Sequence, residues 1–200
     1  MDGEIVLLNV DMSGKPAVII GGGKVGYRKA TALLAAGAKV CVVAPTVLED
    51  VVTLERAGKL AIRYAGYQAS DLEGMLLVVA ATDDAGVNQQ VADDADAQGK
   101  LCCVADIPEI GSCSFPALLR RGDIEIGVST GGCCPSLAVE LRELLAALIT
   151  EEYGVVARRL AAEREKLLTE GNLSTYNNQI LRSRARELIN KLTLHKERVP

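Results

Sequence analysis

The chain has 200 residues, a net charge of −4 at pH 7 and six cysteines. This length is enough for one sizeable core with at most two small additional domains. Aromatic residues make up only 3% of the chain and tryptophan is absent, so the core must consist of Ala, Val, Leu and Ile. Such a composition suits a buried parallel sheet. The adjacent cysteine pairs at 102–103 and 133–134 do not have disulfide-framework spacing, and we expect reduced thiols.

Charge and hydropathy argue against two classes of partner. No apolar run is long enough to span a bilayer, and the first residues are acidic where a secretory signal would be basic. We therefore expect a cytoplasmic protein without membrane contact. Residues 151–200 are mildly basic, but no basic run is flanked by aromatic residues, so we expect no nucleic-acid partner.

Short apolar runs alternate with helical patterns over residues 16–105. The runs predict strands at 16–20, 39–44, 60–64, 75–81 and 100–105. Helical spacing predicts helices at 25–36 and 87–98. Strands that alternate with helices are typical of an α/β fold with a doubly wound parallel sheet.

The pattern changes after residue 106. Segments 113–119 and 123–129 predict an antiparallel hairpin outside the first sheet, around a turn at 121–123. Pro135 begins an amphipathic helix to residue 149, because proline is favoured in the first turn and a leucine stripe follows. The stripe consists of Leu137, Leu141, Leu144, Leu145 and Leu148. From residue 151 the chain is charged and helical, with a break predicted near 171–175.

Gly21, Gly23 and Gly26 match the dinucleotide-binding pattern G-x-G-x-x-G between a predicted strand and a predicted helix. The glycines permit a tight turn, close approach of a pyrophosphate and close helix packing, and the helix N-terminus offers free N–H groups. We favour a dinucleotide site over a purely structural glycine turn.

Two other strand ends should lie at the same edge of the sheet. The second strand ends without the acidic residue that binds a ribose 2′-hydroxyl, so this rule leaves NAD and NADP both open. Pro45 and Thr46 are candidate ribose contacts, with a plain turn as an equal alternative. Thr82, Asp83 and Asp84 close the fourth strand, where a helix N-cap by one of these side chains is the alternative.

Asp106 directly follows the fifth predicted strand and should lie at this edge as well. A carboxylate there can accept a substrate proton or hold a cation. The alternative is a turn-forming aspartate before Ile107 and Pro108, which spacing alone slightly favours.

The remaining reactive side chains are thiols and one imidazole. Cys133 and Cys134 precede Pro135 at a predicted helix N-terminus, a position that lowers a thiol pKa. Metal binding by these two residues with Cys103 is one hypothesis, and small buried residues are the favoured one. His195 is predicted to be an exposed helix residue.

Three segments together resemble the precorrin-2 dehydrogenases of siroheme synthesis, a family that includes the N-terminal part of siroheme synthase. They are VIIGGGKVGYRKATALLAAGAKVCVVAP, VVAATDDAGVNQQVADDA and VADIPEIGSCSFPALLRRGDIEIGVSTGGCCPSLAVELRE. The resemblance covers about residues 5–150. It implies a Rossmann NAD-binding domain at 1–113, a dimerisation region at 114–150 and a small helical domain at 151–200, assembled as a homodimer.

The resemblance also implies an activity, which is NAD-dependent oxidation of the tetrapyrrole precorrin-2 to sirohydrochlorin. Some members of the family also insert ferrous iron to give siroheme. The essential aspartate of the family corresponds to Asp106, the expected base. The family's cofactor contacts correspond to Gly21, Gly22, Gly23, Lys24, Val25, Pro45, Thr46, Thr82 and Asp83.

A serine- and glycine-rich stretch of the family corresponds to residues 129–135. Candidate substrate contacts are Arg28, Ser129, Thr130, Gly131 and Arg142. Lys29, Arg120 and Arg121 are further candidates for the substrate's carboxylates, with solvated surface charge as the alternative for each cation. Cys134 replaces a serine of the family and Cys103 stands where relatives often have asparagine, so no metal ligand is assigned.

Two alternatives stay open. The alternatives to a dehydrogenase that also inserts ferrous iron are a dehydrogenase whose product is metallated by a separate chelatase and a dinucleotide sensor without catalysis. It has no methyltransferase region, so we expect that it does not make precorrin-2. We expect NAD rather than NADP, because the family favours NAD and no arginine directly follows Ala44.

Overall fold

The structure is a computed structural model that describes the main chain of residues 5–170 and 178–196 and the side chains of 5–169 and 179–192. The chain divides into two compact units, Met1–Phe115 and Pro116–Pro200. The division into three domains at 113 and 150 stays a prediction.

The first unit is built on a five-stranded parallel sheet with the order β3-β2-β1-β4-β5. The strands are β1 (Pro16–Gly22), β2 (Lys39–Val47), β3 (Leu60–Arg63), β4 (Leu77–Ala80) and β5 (Leu101–Val104), and the helices are α1 (Lys24–Ala35), α2 (Glu49–Arg56) and α3 (Ala85–Ala97). Every neighbouring pair of strands is parallel, so the five carboxyl ends share one edge. The predicted parallel α/β fold is confirmed.

Apolar side chains cover both faces of this sheet. Successive residues of a strand point to opposite faces, so Ile19 packs in one cluster with Leu33 and Val51, and Ile20 packs in another with Val91. Each of these side chains is almost fully buried, and burial of one such side chain stabilises the fold by about 1.5–3 kcal/mol. This two-sided burial explains the nearly continuous apolar strands.

The helix α2 was missed, since the apolar pattern predicts no element at 49–56. Val51 is its only buried residue, and this leaves too sparse a pattern to recognise. Glu49 and Asp50 lie in the first turn and Arg56 in the last, an arrangement of charges that complements the helix dipole.

The second unit contains the hairpin strands β6 (Ala117–Arg121) and β7 (Ile124–Val128) and the helices α4 (Pro135–Leu148), α5 (Glu151–Glu170) and α6 (Asn178–Lys196). The antiparallel hairpin is confirmed, but the strand predicted from residue 113 begins at Ala117. The amides of Ser112 and Cys113 instead donate to the carbonyl oxygen of Cys102. The break predicted at 171–175 lies outside the described residues, as does the side chain of His195. Within the described ranges, no helix has the length and apolarity to cross a bilayer.

The helix α3 begins directly after Asp84, which is its N-cap. One carboxylate oxygen of Asp84 accepts the N–H groups of Gly86 at 2.8 Å and Val87 at 3.2 Å. These amides have no partner within the helix, so the side chain satisfies two donors of the helix N-terminus at once. The capping alternative is therefore correct for Asp84.

We predict that Asp84→Ala lowers the free energy of unfolding by about 1 kcal/mol, because both cap hydrogen bonds are lost. Urea denaturation followed by circular dichroism measures the change. Asp83→Ala is the matched control, since Asp83 is exposed and forms no hydrogen bond in the described part of the chain. Equal destabilisation by the two substitutions would contradict the assignment of the cap.

Candidate functional site

A cleft of about 660 Å³ opens along the carboxyl edge of the parallel sheet. Ligands of doubly wound sheets bind at this edge. The cleft is lined by all nine predicted cofactor contacts and by Asp106, which the structure therefore brings together. Contact of these residues with a cofactor stays a prediction.

Three glycines at the β1–α1 turn have no space for a side chain. A Cβ atom on Gly21, whose φ is +123°, would lie 2.2 Å from the carbonyl oxygen of Ala81. A Cβ atom on Gly26 would lie 2.2 Å from the carbonyl oxygen of Gly21, and one on Gly22 would lie 2.5 Å from that of Thr46. These glycines let the turn pack against two other segments of the main chain.

Gly23 differs from the other glycines of the turn, because a Cβ atom there would meet no atom within 4 Å. It is the N-cap of α1, no side chain caps this helix, and no acidic residue lies in its first turn. Lys24 and Val25 of that turn line the cleft. The uncapped N–H groups and the positive end of the helix dipole therefore fit a pyrophosphate.

A buried polar network shapes the cleft wall after β4. Asn88, only 2% exposed, accepts hydrogen bonds from the hydroxyl of Thr82 at 2.7 Å and from its N–H at 3.2 Å. Its amide also donates to the carbonyl oxygen of Thr82 at 3.1 Å. The Thr82 hydroxyl is thus engaged in hydrogen bonds that hold the loop after β4. Asn88 was not predicted as a residue of this site. The available indication in the sequence was that Asn88 is a polar residue in the apolar stripe of α3, one turn before Val91.

The opposite end of the cleft lies beyond β2. Pro45 and Thr46 are exposed there, and the loop after β3 adds Gly66 and Tyr67, which were also missed. The Tyr67 hydroxyl donates to a carboxylate oxygen of Asp94 at 2.8 Å. Burial, followed by this hydrogen bond, raises the pKa of Tyr67. The tyrosine is therefore a neutral and fixed part of the wall.

Asp106 lies two residues beyond the end of β5, with its side chain exposed in the cleft. The amide of Ala105 continues the sheet by donating to the carbonyl oxygen of Ala80 at 2.9 Å. In the described part of the chain, the Asp106 carboxylate accepts no hydrogen bond. It is thus positioned by the sheet and available to accept a proton from a ligand.

The thiols of the first unit are unsuited to chemistry. Cys102 and Cys103 are buried and Cys113 is half-buried. Burial raises the pKa of Cys102 to about 11 and that of Cys113 to about 12, and it also raises the pKa of Cys103. Protonated thiols are poor nucleophiles and metal ligands. Among the described residues, no group of three or more His, Cys, Asp or Glu side chains could hold a metal ion.

Two cations of α1 were predicted to bind substrate carboxylates. Arg28 is exposed. The ammonium of Lys29 instead lies 3.9 Å from the centroid of the Phe115 ring. Burial lowers the pKa of Lys29. Arg28 is therefore the more accessible of the two cations.

The candidate contacts of the second unit form local hydrogen bonds. The Ser129 hydroxyl accepts the N–H of Gly131, and the Thr130 hydroxyl accepts that of Cys134, both at 3.2 Å.

The three candidate arginines of this unit each have a partner. Arg120 binds Glu125 and Arg142 binds Glu143. Arg121 donates to the carbonyl oxygens of Ile149 and Ala146. Arg121 thus ties β6 to the end of α4. Contact of these residues with a substrate stays a prediction.

Comparisons with known proteins identify similar chains. A model of a family described as putative NAD(P)-binding matches residues 8–117. The siroheme synthase of Pseudomonas entomophila (strain L48) is 41% identical over 156 residues, which are 78% of this chain and 34% of that protein. The siroheme synthase of Methylococcus capsulatus is 40% identical over 76% of this chain and 32% of its own length. The chain thus spans about a third of the length of these curated relatives.

A solved structure is similar over nearly the whole chain. It is described as SirC, precorrin-2 dehydrogenase, and it superposes with a TM-score of 0.76 at 25% sequence identity. The alignment covers 94% of this chain and 99% of that one.

We predict that Gly23→Asp leaves the fold intact but weakens NAD binding by at least about tenfold, because a carboxylate would lie beside the pyrophosphate. Isothermal titration calorimetry measures the affinity, and circular dichroism checks the fold. Gly23→Asn controls for size without charge and should bind NAD more tightly than Gly23→Asp. Unchanged NAD affinity in folded Gly23→Asp would rule out the site.

Proposed function

Because the chain belongs to the putative NAD(P)-binding family, we propose that it is a cytoplasmic enzyme that uses NAD to oxidise precorrin-2 to sirohydrochlorin in siroheme synthesis. The observation that supports this proposal most directly is that an uncapped glycine turn and the free carboxylate of Asp106 line one cleft. The siroheme synthases and the precorrin-2 dehydrogenase described above supply the substrate class.

The glycine turn divides the cleft into two halves. The main-chain amides of residues 21–25 would hold the pyrophosphate. The ribose next to adenine is bound after the second strand in folds of this kind, so Pro45 and Thr46 would hold the adenosine half. The nicotinamide half then falls toward Thr82, Asp83 and Asp106, on the side of β4 and β5.

The oxidation removes a hydride and a proton from the macrocycle. NAD supplies the hydride acceptor when it is bound. A carboxylate oxygen of Asp106 accepts the proton, because this oxygen is exposed in the cleft and free of hydrogen bonds in the described structure. Asp106 thus acts as the general base.

The macrocycle bears many carboxylates, but the cleft itself contains few cations that could bind them. Of the charged residues that line it, three are aspartates and one is Lys24. Arg28 follows Lys24 by four residues and so lies on the same side of α1. We propose that Arg28 binds a substrate carboxylate. Ser129, Thr130, Gly131 and Arg142 of the second unit are proposed substrate contacts in their own right.

The test is an anaerobic assay of the full chain with precorrin-2 and NAD, in which absorbance reports NADH and sirohydrochlorin. We predict oxidation by the unmodified chain and a loss of about 10²- to 10⁴-fold in kcat for Asp106→Asn, the usual contribution of a general base. NAD should still bind to this variant, with a loss of affinity far smaller than the loss in kcat, because the substitution removes one charge near the nicotinamide but no contact of the glycine turn.

Glu109→Gln is the matched control, since Glu109 is an exposed carboxylate in the same loop and does not line the cleft. A loss below about tenfold for Asp106→Asn would remove this residue from the role of base. NAD binding without NADH formation would indicate a sensor. Ferrous iron added afterwards separates a chain that forms siroheme from one that leaves metallation to another enzyme.

We propose further that the chain forms a homodimer through α4. Leu137, Leu141, Leu144 and Leu148 of this helix are between 39% and 64% exposed. Their spacing of four, three and four residues places them in one stripe along the helix. An apolar stripe of this kind is usually covered by a partner, and self-association provides one.

We predict a dimer in sedimentation velocity at micromolar concentration and a monomer for Leu144→Arg, because a charge in the stripe would be desolvated on association. Glu143→Lys is the control, since it changes charge on another side of the same helix and should remain dimeric. A monomeric unmodified chain would refute the proposal.

A further inference from the structure

We infer that Asp71 makes the cleft prefer NAD over NADP by neutralising Arg63, a cation on the strand next to the one that leads to the proposed ribose contacts. This inference rests on the proposed use of NAD. It concerns two residues that do not line the cleft, and the pattern of the sequence gave no indication of either.

Arg63 is the last residue of β3, and its position in the sheet brings it close to the adenosine half of the cleft. Its Cα atom pairs with that of Val43 in β2. Val43 lines the cleft, as do the residues that follow it, including the proposed ribose contacts Pro45 and Thr46. Arg63 is therefore one strand away from the place of the ribose.

The guanidinium of Arg63 is held by two acceptors. Its Nη2 atom donates to a carboxylate oxygen of Asp71 and, at 2.7 Å, to the carbonyl oxygen of Gly66. The same Asp71 oxygen accepts the N–H of Gln68 at 2.8 Å. The Asp71 side chain is only 9% exposed and that of Arg63 is 35% exposed. The ion pair is thus largely withdrawn from solvent.

The pair also borders the cleft directly, because Gly66 is both an acceptor for Arg63 and a lining residue. The lining residues of the adenosine half are otherwise uncharged, from Val43 to Leu48 and at Gly66 and Tyr67. Arg63 is the only cation of β3 and of the loop that follows it, and Asp71 already neutralises this cation.

The two dinucleotides differ at this place by one phosphate. NAD presents a 2′-hydroxyl, which needs no cation, whereas NADP presents a phosphate that arginines commonly bind. Burying the phosphate next to a neutral ion pair is unfavourable, because the nearby carboxylate repels it and the Nη2 group of the guanidinium already donates to Asp71 and Gly66. Asp71 consequently selects against NADP without touching NAD.

The experiment compares NAD and NADP affinities of the full chain by isothermal titration calorimetry. Asp71→Asn keeps an oxygen that can accept the Gln68 N–H but frees the charge of Arg63. We expect the ratio of NADP to NAD affinity to rise by at least about tenfold, since a charge-assisted contact to phosphate becomes available. The double variant Arg63→Gln/Asp71→Asn lacks both charges, and its ratio should return to that of the unmodified chain.

Glu55→Gln is the matched control. Glu55 accepts the N–H of Ile62 at 3.2 Å and the hydroxyl of Tyr64 at 3.1 Å, so it is a carboxylate beside the same strand without contact to Arg63. Its substitution removes one negative charge from the region and should leave the ratio unchanged. A rise equal to that of Asp71→Asn would overturn the inference, because it would show a general charge effect.

A purely structural role for Asp71 predicts a different outcome. Both affinities would then fall together with no change in their ratio, and this result would also overturn the inference. If Asp71→Asn fails to fold by circular dichroism, Arg63→Gln provides the second test, and it should lower NADP affinity further because Asp71 is left uncompensated. An unmodified chain that binds neither dinucleotide would refute the proposed function itself, whereas NAD binding with an unchanged ratio in the variants would refute only the role of Asp71.

Discussion

Main chain packs directly against main chain where β1 turns into α1. The position of Gly21 lies against the carbonyl of Ala81, and that of Gly26 lies against the carbonyl of Gly21. Side chains at either position would push β1 away from β4 or α1 away from the turn, and the uncapped end of α1 would no longer border the cleft. The cleft therefore depends on the absence of side chains at Gly21, Gly22 and Gly26. At Gly23 there is no such close contact, and this leaves room for a ligand.

Buried polar groups hold the walls on either side of this turn. Asn88 binds the main chain of Thr82 after β4, and Asp71 binds Arg63 and Gln68 after β3. A buried polar group without its partners is costly, so each network restricts its loop to the conformation that satisfies it. Asp106 is exposed at the same edge, and its carboxylate accepts no hydrogen bond in the described part of the chain.

Local patterns were enough to predict the parallel sheet, the hairpin and the glycine turn, because strand burial and glycine geometry act over a few neighbouring residues. The helix α2 was missed since a single buried residue, Val51, gives no periodicity. The strand predicted from residue 113 was wrong, because the main-chain N–H of Cys113 donates a hydrogen bond to the carbonyl oxygen of Cys102, eleven residues earlier. The roles of Asn88 and Asp71 were beyond local patterns for the same reason, since each depends on partners that only the folded chain brings together. The direct contacts of the cleft residues with a cofactor stay a prediction.

The charges along the cleft follow its division into two halves. The half proposed for adenosine is lined by uncharged residues, the turn contributes Lys24 and the positive end of α1, and the half proposed for nicotinamide contains Asp83, Asp84 and Asp106. An oxidised nicotinamide ring is positively charged and the pyrophosphate is negative, so this order of charges matches that of oxidised NAD. The loss of the ring's charge on reduction removes this attraction to the aspartates. The aspartates in this part of the cleft would therefore favour binding of oxidised NAD and release of the reduced cofactor after hydride transfer, while the proposed role of Asp106 is that of the base.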